Sequence, residues 1–131
     1  MIQTASPADT YNVVFGCGAL DHSWWLVNEF TMASGVWRAR LTCGEGDEDD
    51  VVATITHTDI MRWAHHVVRH RGKMIHRTSA RTGHALSYRA WSLDLETDCT
   101  ALIFNVDNAD FDSSTADELV QLAVRGEVTF G

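Results

Sequence analysis

An α+β fold is predicted by three observations: strand-like alternation through the first half, an apolar arc with a cap and a glycine stop over residues 60–72, and a second capped helix over 114–125. The expected architecture is a single domain, with an antiparallel or mixed sheet of about six or seven strands and two main helices. The length of 131 residues fits one domain, and folding at that size buries roughly two-thirds of the unfolded chain's surface. With 45% apolar residues and five Trp, the chain has the material for a core. Residues 1–10 are expected to form a flexible N-terminal arm and residues 11–131 the globular domain. Pro7 is the one proline, and no linker-like stretch divides the rest.

Tyr11–Leu20 is the first expected strand, because Tyr11, Val13 and Phe15 alternate. Trp24–Met32 is the second, and Gly35 marks the turn out of it. Val36–Cys43 alternates cleanly, with Trp37, Ala39 and Leu41 on one face and Arg38, Arg40 and Thr42 on the other. Residues 44–50 (Gly-Glu-Gly-Asp-Glu-Asp-Asp) form a solvated loop, and Val51–His57 a β-branched strand. These four strands are expected to form an antiparallel meander. Thr58 or Asp59 then caps a helix over Ile60–Arg71 that stops at Gly72. Its apolar arc holds Ile60, Met61, Trp63, Ala64, Val67 and Val68. Arg62, His65, His66, Arg69 and His70 make the opposite face wholly basic and histidine-rich. Lys73–His84 has no clear period and reads as a loop. Alternation returns with Trp91, Leu93 and Leu95 opposite Asp94, Glu96 and Asp98. Thr100–Val106 reads as a central strand and Asp107–Asp112 as an acidic loop. Ser114 with Asp117 approximates a capping box for the helix to Arg125. Gly126 ends that helix, and Val128 and Phe130 suggest a terminal strand.

Charge is distributed unevenly. Residues 60–93 contain seven of the ten basic side chains and no acid, so the segment is +7. The other 97 residues, with three basic and eighteen acidic side chains, sum to −15. Six of the seven histidines lie in or beside the same stretch. Such a region either meets an anionic partner or neutralises the chain's own acids, the 45–50 loop above all. The overall charge of −8 argues against general affinity for nucleic acid or anionic membrane. No apolar run approaches the ~18 residues of a membrane span, and the first ten residues do not resemble a signal peptide. Cys17, Cys43 and Cys99 form no CxxC pair. They read as reduced, buried small hydrophobes in a cytosolic protein.

Motifs with chemistry are few. His66 and His70 have i,i+4 spacing that suits one metal, but no further ligand is adjacent and Arg62 and Arg69 repel a cation. His76-Arg-Thr78 is half of a paired H-x-T phosphoesterase arrangement without its second copy. Gly16-Cys-Gly18 lacks the third glycine of a dinucleotide site. Asp107, Asp110 and Asp112 fail the EF-hand pattern. The run from Arg77 to His84 offers Arg77, Ser79, Arg81 and Thr82, the donor types that a phosphate or carboxylate wants. It is not a Walker loop.

The stretch Asn108–Gly131 resembles the ends of small uncharacterised proteins of actinobacterial phages, over about a fifth of the chain. An Ala- and Arg-rich composition with Lys73 as the one lysine fits a GC-rich genome. The resemblance implies synthesis in a bacterial host cytoplasm and a role in binding host components. It transfers no functional residue. The leading expectation is a non-enzymatic cytosolic binding protein without cofactor or metal. It would engage an acidic protein surface through Arg62, His65, His66, Arg69 and His70, with the 77–84 loop beside them. The alternative is a binder of a phosphate-bearing ligand, nucleotide or nucleic acid, through Arg77, Ser79, Arg81 and Thr82. An enzyme ranks third. A homodimer, with one copy's basic helix on another's acidic loop, also fits the charge pattern.

Overall fold

Strand β2 (Val36–Cys43) sets the frame. Trp37, Ala39, Leu41 and Cys43 are buried, while Arg38 and Arg40 between them are exposed. The computed structural model describes residues 4–131. It pairs β2 antiparallel with β1 (Trp25–Ala33) on one side and β3 (Val51–Thr56) on the other. Ala33 opposes Val36 across a two-residue turn in which Ser34 (φ 52°) and Gly35 (φ 74°) both have positive φ. That is the type I′ geometry whose twist matches the flanking strands.

The expected first strand, Tyr11–Leu20, is helical. Ser6 caps one turn of helix α1 (Pro7–Thr10). Its hydroxyl accepts from Asp9 N (3.2 Å), and the Asp9 carboxylate accepts from Ser6 N (2.8 Å). The chain continues through a π-helical turn (Tyr11–Phe15) and a 3-10 turn (Ala19–Asp21). Tyr11, Val13 and Phe15 alternate, but Val14 between them is the fully buried residue. Residues 1–3 of the expected N-terminal arm lie outside the described residues. Within the remainder of that arm, Ala5 and Thr10 are buried. Thr10 Oγ1 accepts from Trp37 Nε1 (2.9 Å) and hydrogen-bonds His57 Nδ1 (3.0 Å), which ties α1 to the sheet and to the next helix. Burial lowers the His57 pKa from 6.5 and favours its neutral ring.

Helix α2 (His57–Arg69) begins three residues before the expected start. Thr56 is its N-cap, and Asp59 at N3 completes a capping box. Ile60, Met61, Ala64 and Val67 form its buried stripe.

Residues 93–104 depart further from expectation. The predicted strands at 91–98 and 100–106 are replaced by one helix, α3 (Leu93–Phe104), capped by Ser92 Oγ accepting from Leu95 N (3.1 Å). Leu95, Cys99, Leu102 and Ile103 supply the i, i+4, i+7, i+8 stripe of a helix. The Leu and Ile side chains of this stripe contribute about 1.5–3 kcal/mol each when fully buried. Glu96 and Asp98 are buried as well, although alternation assigns them to solvent.

Helix α4 (Ser113–Arg125) packs against β2, β3, α2 and α3 and is the centre of the molecule. Its cap is Asp112, whose side chain accepts from Thr115 N (2.8 Å), rather than the expected Ser114–Asp117 pair. Gly126 (φ 80°) ends it. Asp117 instead points into the core. Its Oδ1 accepts from Trp24 Nε1 (2.8 Å) and Trp25 Nε1 (2.6 Å), and its Oδ2 accepts from Gln121 Nε2 (2.9 Å). Val128 and Phe130 form no strand. Gln121 Oε1 accepts from Thr129 N (2.8 Å) and Phe130 N (2.9 Å), so the tail docks on a side chain where a strand partner was expected.

The described residues therefore form an α+β domain with five strands, not six or seven. A three-stranded sheet, β1-β2-β3, is separate from a two-stranded hairpin of β4 (Met74–Thr78) and β5 (Ala85–Arg89). Three long helices replace the expected two. Among the described residues no helix is long and apolar enough to cross a membrane. The three cysteines are free, and burial pushes the Cys43 thiol up to about 11 and the Cys99 thiol higher still.

Asp117→Ala removes the acceptor of the Trp24 and Trp25 indole N–H groups and of one N–H of Gln121, whose amide nitrogen keeps its bond to Phe130 O, an omission that costs about 1 kcal/mol or more per lost bond. Urea unfolding should show a loss of about 3 kcal/mol. A loss no larger than that of an ordinary surface substitution, within about 0.5 kcal/mol, contradicts the role assigned to this carboxylate.

Candidate functional site

The segment from Arg69 to Arg89 is built for exposure. Every residue in it except Ile75 and Ser79 is exposed. The expected loop at 73–84 is instead strand β4 and a turn. β4 and β5 pair from Met74–Arg89 to Thr78–Ala85. Ser79 N donates to His84 O and Gly83 N to Ser79 O, both at 2.8 Å, and Gly83 (φ 72°) turns the chain back. The ribbon carries Lys73, Arg77, Arg81 and Arg89 with His76 and His84, and no acid. Met74 (41% exposed), Leu86 (46%) and Tyr88 (41%) lie open among these charges.

Glu96 fixes the base of the hairpin. Its Oε2 accepts from Gly72 N (2.7 Å), Trp91 Nε1 (2.9 Å) and Arg89 Nη2 (3.2 Å). One buried carboxylate on α3 thus holds both ends of the excursion, and Ala90 N to Lys73 O (3.0 Å) closes it. Midway, Arg77 Nη2 reaches Glu127 (2.7 Å), just beyond α4.

The predicted binding residues fall into separate groups. Arg62 is ion-paired with Asp59 one turn earlier on its own helix. His65 is exposed on α2. His66, Arg69 and His70 gather with Lys73 at the base of the hairpin. The His66 ring is 4.4 Å from His70, 5.0 Å from Trp63 and 5.9 Å from Trp91, and Lys73 Nζ lies 5.9 Å over Trp91. Burial, then the neighbouring His70, Lys73 and Arg69 charges, lower the His66 pKa from 6.5. Its positive charge therefore appears only as pH falls below about 6.5.

Ser79, Arg81 and Thr82 sit at the hairpin tip. Five paired residues at about 3.3 Å each place them roughly 17 Å from the base. Two hydroxyls there serve the turn itself: Ser79 Oγ accepts from Thr82 N (3.3 Å) and Thr82 Oγ1 from His84 N (3.2 Å). Among the described residues no hydrogen bond or ion pair joins this tip to α2. The expected adjacency of helix and loop is thus replaced by a basic cluster at the base and a separate tip.

The 45–50 loop does not neutralise this region. Its backbone is held by Arg125, whose Nη1 donates to Cys43 O (3.0 Å) and Asp49 O (3.1 Å). The ion pairs among the described residues are Arg62–Asp59, Arg77–Glu127 and Arg89–Glu96. Arg69, Arg71, Lys73 and Arg81 have no acidic partner there. Arg71, Lys73, Met74 and Leu86 join this exposed segment although sequence reasoning does not single them out, whereas Tyr88 is read there only as a base-stacking residue. The signal for Arg71 and Lys73 is the acid-free +7 run itself, whereas nothing in the pattern of residues 73–84 indicates a strand.

His66 and His70 offer two adjacent imidazoles. Among the described residues no third His, Cys, Asp or Glu joins them to make a metal-binding group. A separate acidic face, Asp94, Asp98, Asp110 and Asp112, lines a groove of about 350 Å³. Burial raises the Asp98 pKa within it.

Glu96→Ala releases both ends of the hairpin while leaving its strands intact. Trypsin cleavage after Arg71, Lys73 and Arg89 should accelerate at least about tenfold, as expected when a local opening loses its anchor. Equal cleavage rates in wild type and variant contradict the anchoring role. No family model, curated protein or solved structure matches the chain, so a functional reading rests on this geometry.

Proposed function

We propose that the chain is a small non-enzymatic binding protein that engages an acidic surface of another protein through residues 69–89. One observation carries the reading: four cations without acidic partners among the described residues, Arg69, Arg71 and Lys73 at the base of the hairpin and Arg81 at its tip, flank exposed Met74, Leu86 and Tyr88. Aromatic, Met and Arg side chains are enriched in protein interfaces. Unpaired cations at the rim steer an acidic partner and set its orientation. On α2, Asp59 already engages Arg62, which leaves His65, His66, Arg69 and His70 of that helix face for the partner. The phage setting implied by the C-terminal stretch makes the partner a host protein in the bacterial cytoplasm.

The alternative, a phosphate-bearing ligand at Arg77, Ser79, Arg81 and Thr82, has less support. Glu127 occupies Arg77, and the two hydroxyls accept backbone N–H groups within the turn. Self-association has one favourable observation, the chain's own acidic groove at Asp94, Asp98, Asp110 and Asp112.

A photo-crosslinking residue at Tyr88, compared with one at Val52 on the far sheet, tests the reading in bacterial lysate with and without nuclease. Position 88 should give nuclease-resistant protein adducts that position 52 does not give. Arg69→Glu/Arg81→Glu should reduce them at least about tenfold, consistent with loss of a steering patch. An adduct of two copies identifies the chain as its own partner. Nucleic acid adducts, or equal adducts at both positions, contradict the reading.

A further inference from the structure

The outer face of the three-stranded sheet is open to solvent, and a bulge in β1 decides what stands on it. In an unbroken strand Trp25, Val27, Glu29 and Thr31 share one face. Here the pairing register shifts between Val27 and Glu29, so Asn28 is the extra residue. Beyond it the two faces exchange. Phe30 turns inward opposite fully buried Ala39, with its ring 5.3 Å from Phe15 and 6.0 Å from Trp37. Glu29 and Thr31 turn outward, opposite Arg40 and Arg38. Thr42 Oγ1 donates to Asn28 Oδ1 (2.7 Å) and pins the bulge. On the other flank, β3 places Thr54 opposite Arg40. Glu29, Thr31, Arg38, Arg40 and Thr54 line a crevice of about 270 Å³.

We propose that this crevice binds a small oxyanion, inorganic phosphate or a phosphate monoester, between Arg38 and Arg40. Neither guanidinium forms an ion pair among the described residues, although Glu29 is the cross-strand partner of Arg40. Two arginines against one glutamate give the crevice a formal charge of +1 before a ligand arrives. The arginines are two residues apart on one strand face, about 7 Å along the backbone, so an anion held between them is within reach of both forks. Arg presents paired N–H donors that match phosphate oxygens, and the Thr31 and Thr54 hydroxyls add donors at the sides.

Size and chemistry restrict the ligand. The volume lies below the ~300–1,000 Å³ of pockets for drug-sized molecules. The exposed large apolar side chains on this face, Leu26, Val36 and Val52, are aliphatic. The aromatic platforms on which single-stranded nucleic acid stacks are therefore missing from it. Glu29 at the flank also repels an extended polyanion and leaves room for a compact one. No residue of the 69–89 segment lines the crevice, so the site is independent of the proposed protein-binding ribbon.

Amide chemical shifts of the full chain, followed during titration with inorganic phosphate at constant ionic strength, test this. Saturable shifts should appear in β1, β2 and β3 around the crevice residues, with a Kd of roughly millimolar order. Arg38→Gln and Arg40→Gln should each weaken binding at least about tenfold, the loss of a charge-assisted pair. Arg69→Gln/Arg81→Gln should leave it unchanged. Glu29→Gln should tighten it, because a repelling carboxylate becomes neutral. A purely structural role for Glu29 predicts no such gain. Adenosine monophosphate titrated in parallel separates the sources: tighter binding than phosphate assigns a monoester, equal or weaker binding the free anion, and either supports the site. Shifts that fail to saturate, that centre on 69–89, or that persist equally in both arginine variants overturn the proposal.

Discussion

Two consecutive tryptophans, Trp24 and Trp25, donate their indole N–H groups to one oxygen of Asp117. The other carboxylate oxygen accepts from Gln121, and Gln121 in turn holds the backbone of Thr129 and Phe130. This single carboxylate therefore joins the start of β1, the central helix α4 and the C-terminal tail. A buried charge is tolerated only where donors replace the lost water. Here three side-chain donors do so, and no buried side-chain N or O atom among the described residues lacks a partner. Trp24 extends the arrangement outward by stacking between His22 (4.8 Å) and Phe130 (5.5 Å), and Arg125 lies over the Phe130 ring. With the sheet, the helix and the tail fixed to each other, α4 becomes the element on which α2 and α3 pack.

The same device recurs on a smaller scale. Glu118, beside Asp117, accepts from Ser92 N (2.9 Å) and Ser92 Oγ (2.6 Å) and so positions the N-terminus of α3. Burial raises its pKa against those favourable hydrogen bonds. Glu96, one turn into α3, then secures the hairpin. The acids of this chain are thus partly internal anchors. The cations between residues 60 and 93 have few such duties. That asymmetry leaves positive charge outside, on a ribbon attached to the body chiefly at its base.

The sequence was most readable where one face is buried and the other wet. The 36–43 alternation, the Ser34-Gly35 turn region and the stop at Gly126 follow from local chemistry. Four segments depart from that legibility, each for its own physical reason. The 93–104 helix buries Glu96 and Asp98 beside its apolar stripe, so polarity no longer reports burial. The 74–89 hairpin buries neither face, so no alternation was available to find. The Asn28 bulge moves Phe30 inside and Glu29 outside, which a strict period of two cannot express. The Ser6–Asp9 capping box and Pro7 were local signals for a helix start, but the alternation of Tyr11, Val13 and Phe15 outweighed them. For the site, the basic run was visible as composition, and the shared face of Arg38 and Arg40 as alternation, whereas the separation of base and tip, and the grouping of the two arginines with Glu29, Thr31 and Thr54, depend on strand pairing.

Native-state hydrogen exchange, resolved for individual amides, tests most directly whether a carboxylate-tied body presents a loosely attached basic ribbon. The amides of β2 and α4 should exchange only through global unfolding. Those of β4 and β5 should exchange through a smaller local opening, several kcal/mol below the global value. Hairpin amides as slow as those of β2 and α4 would contradict this account, by making the ribbon an integral part of the core.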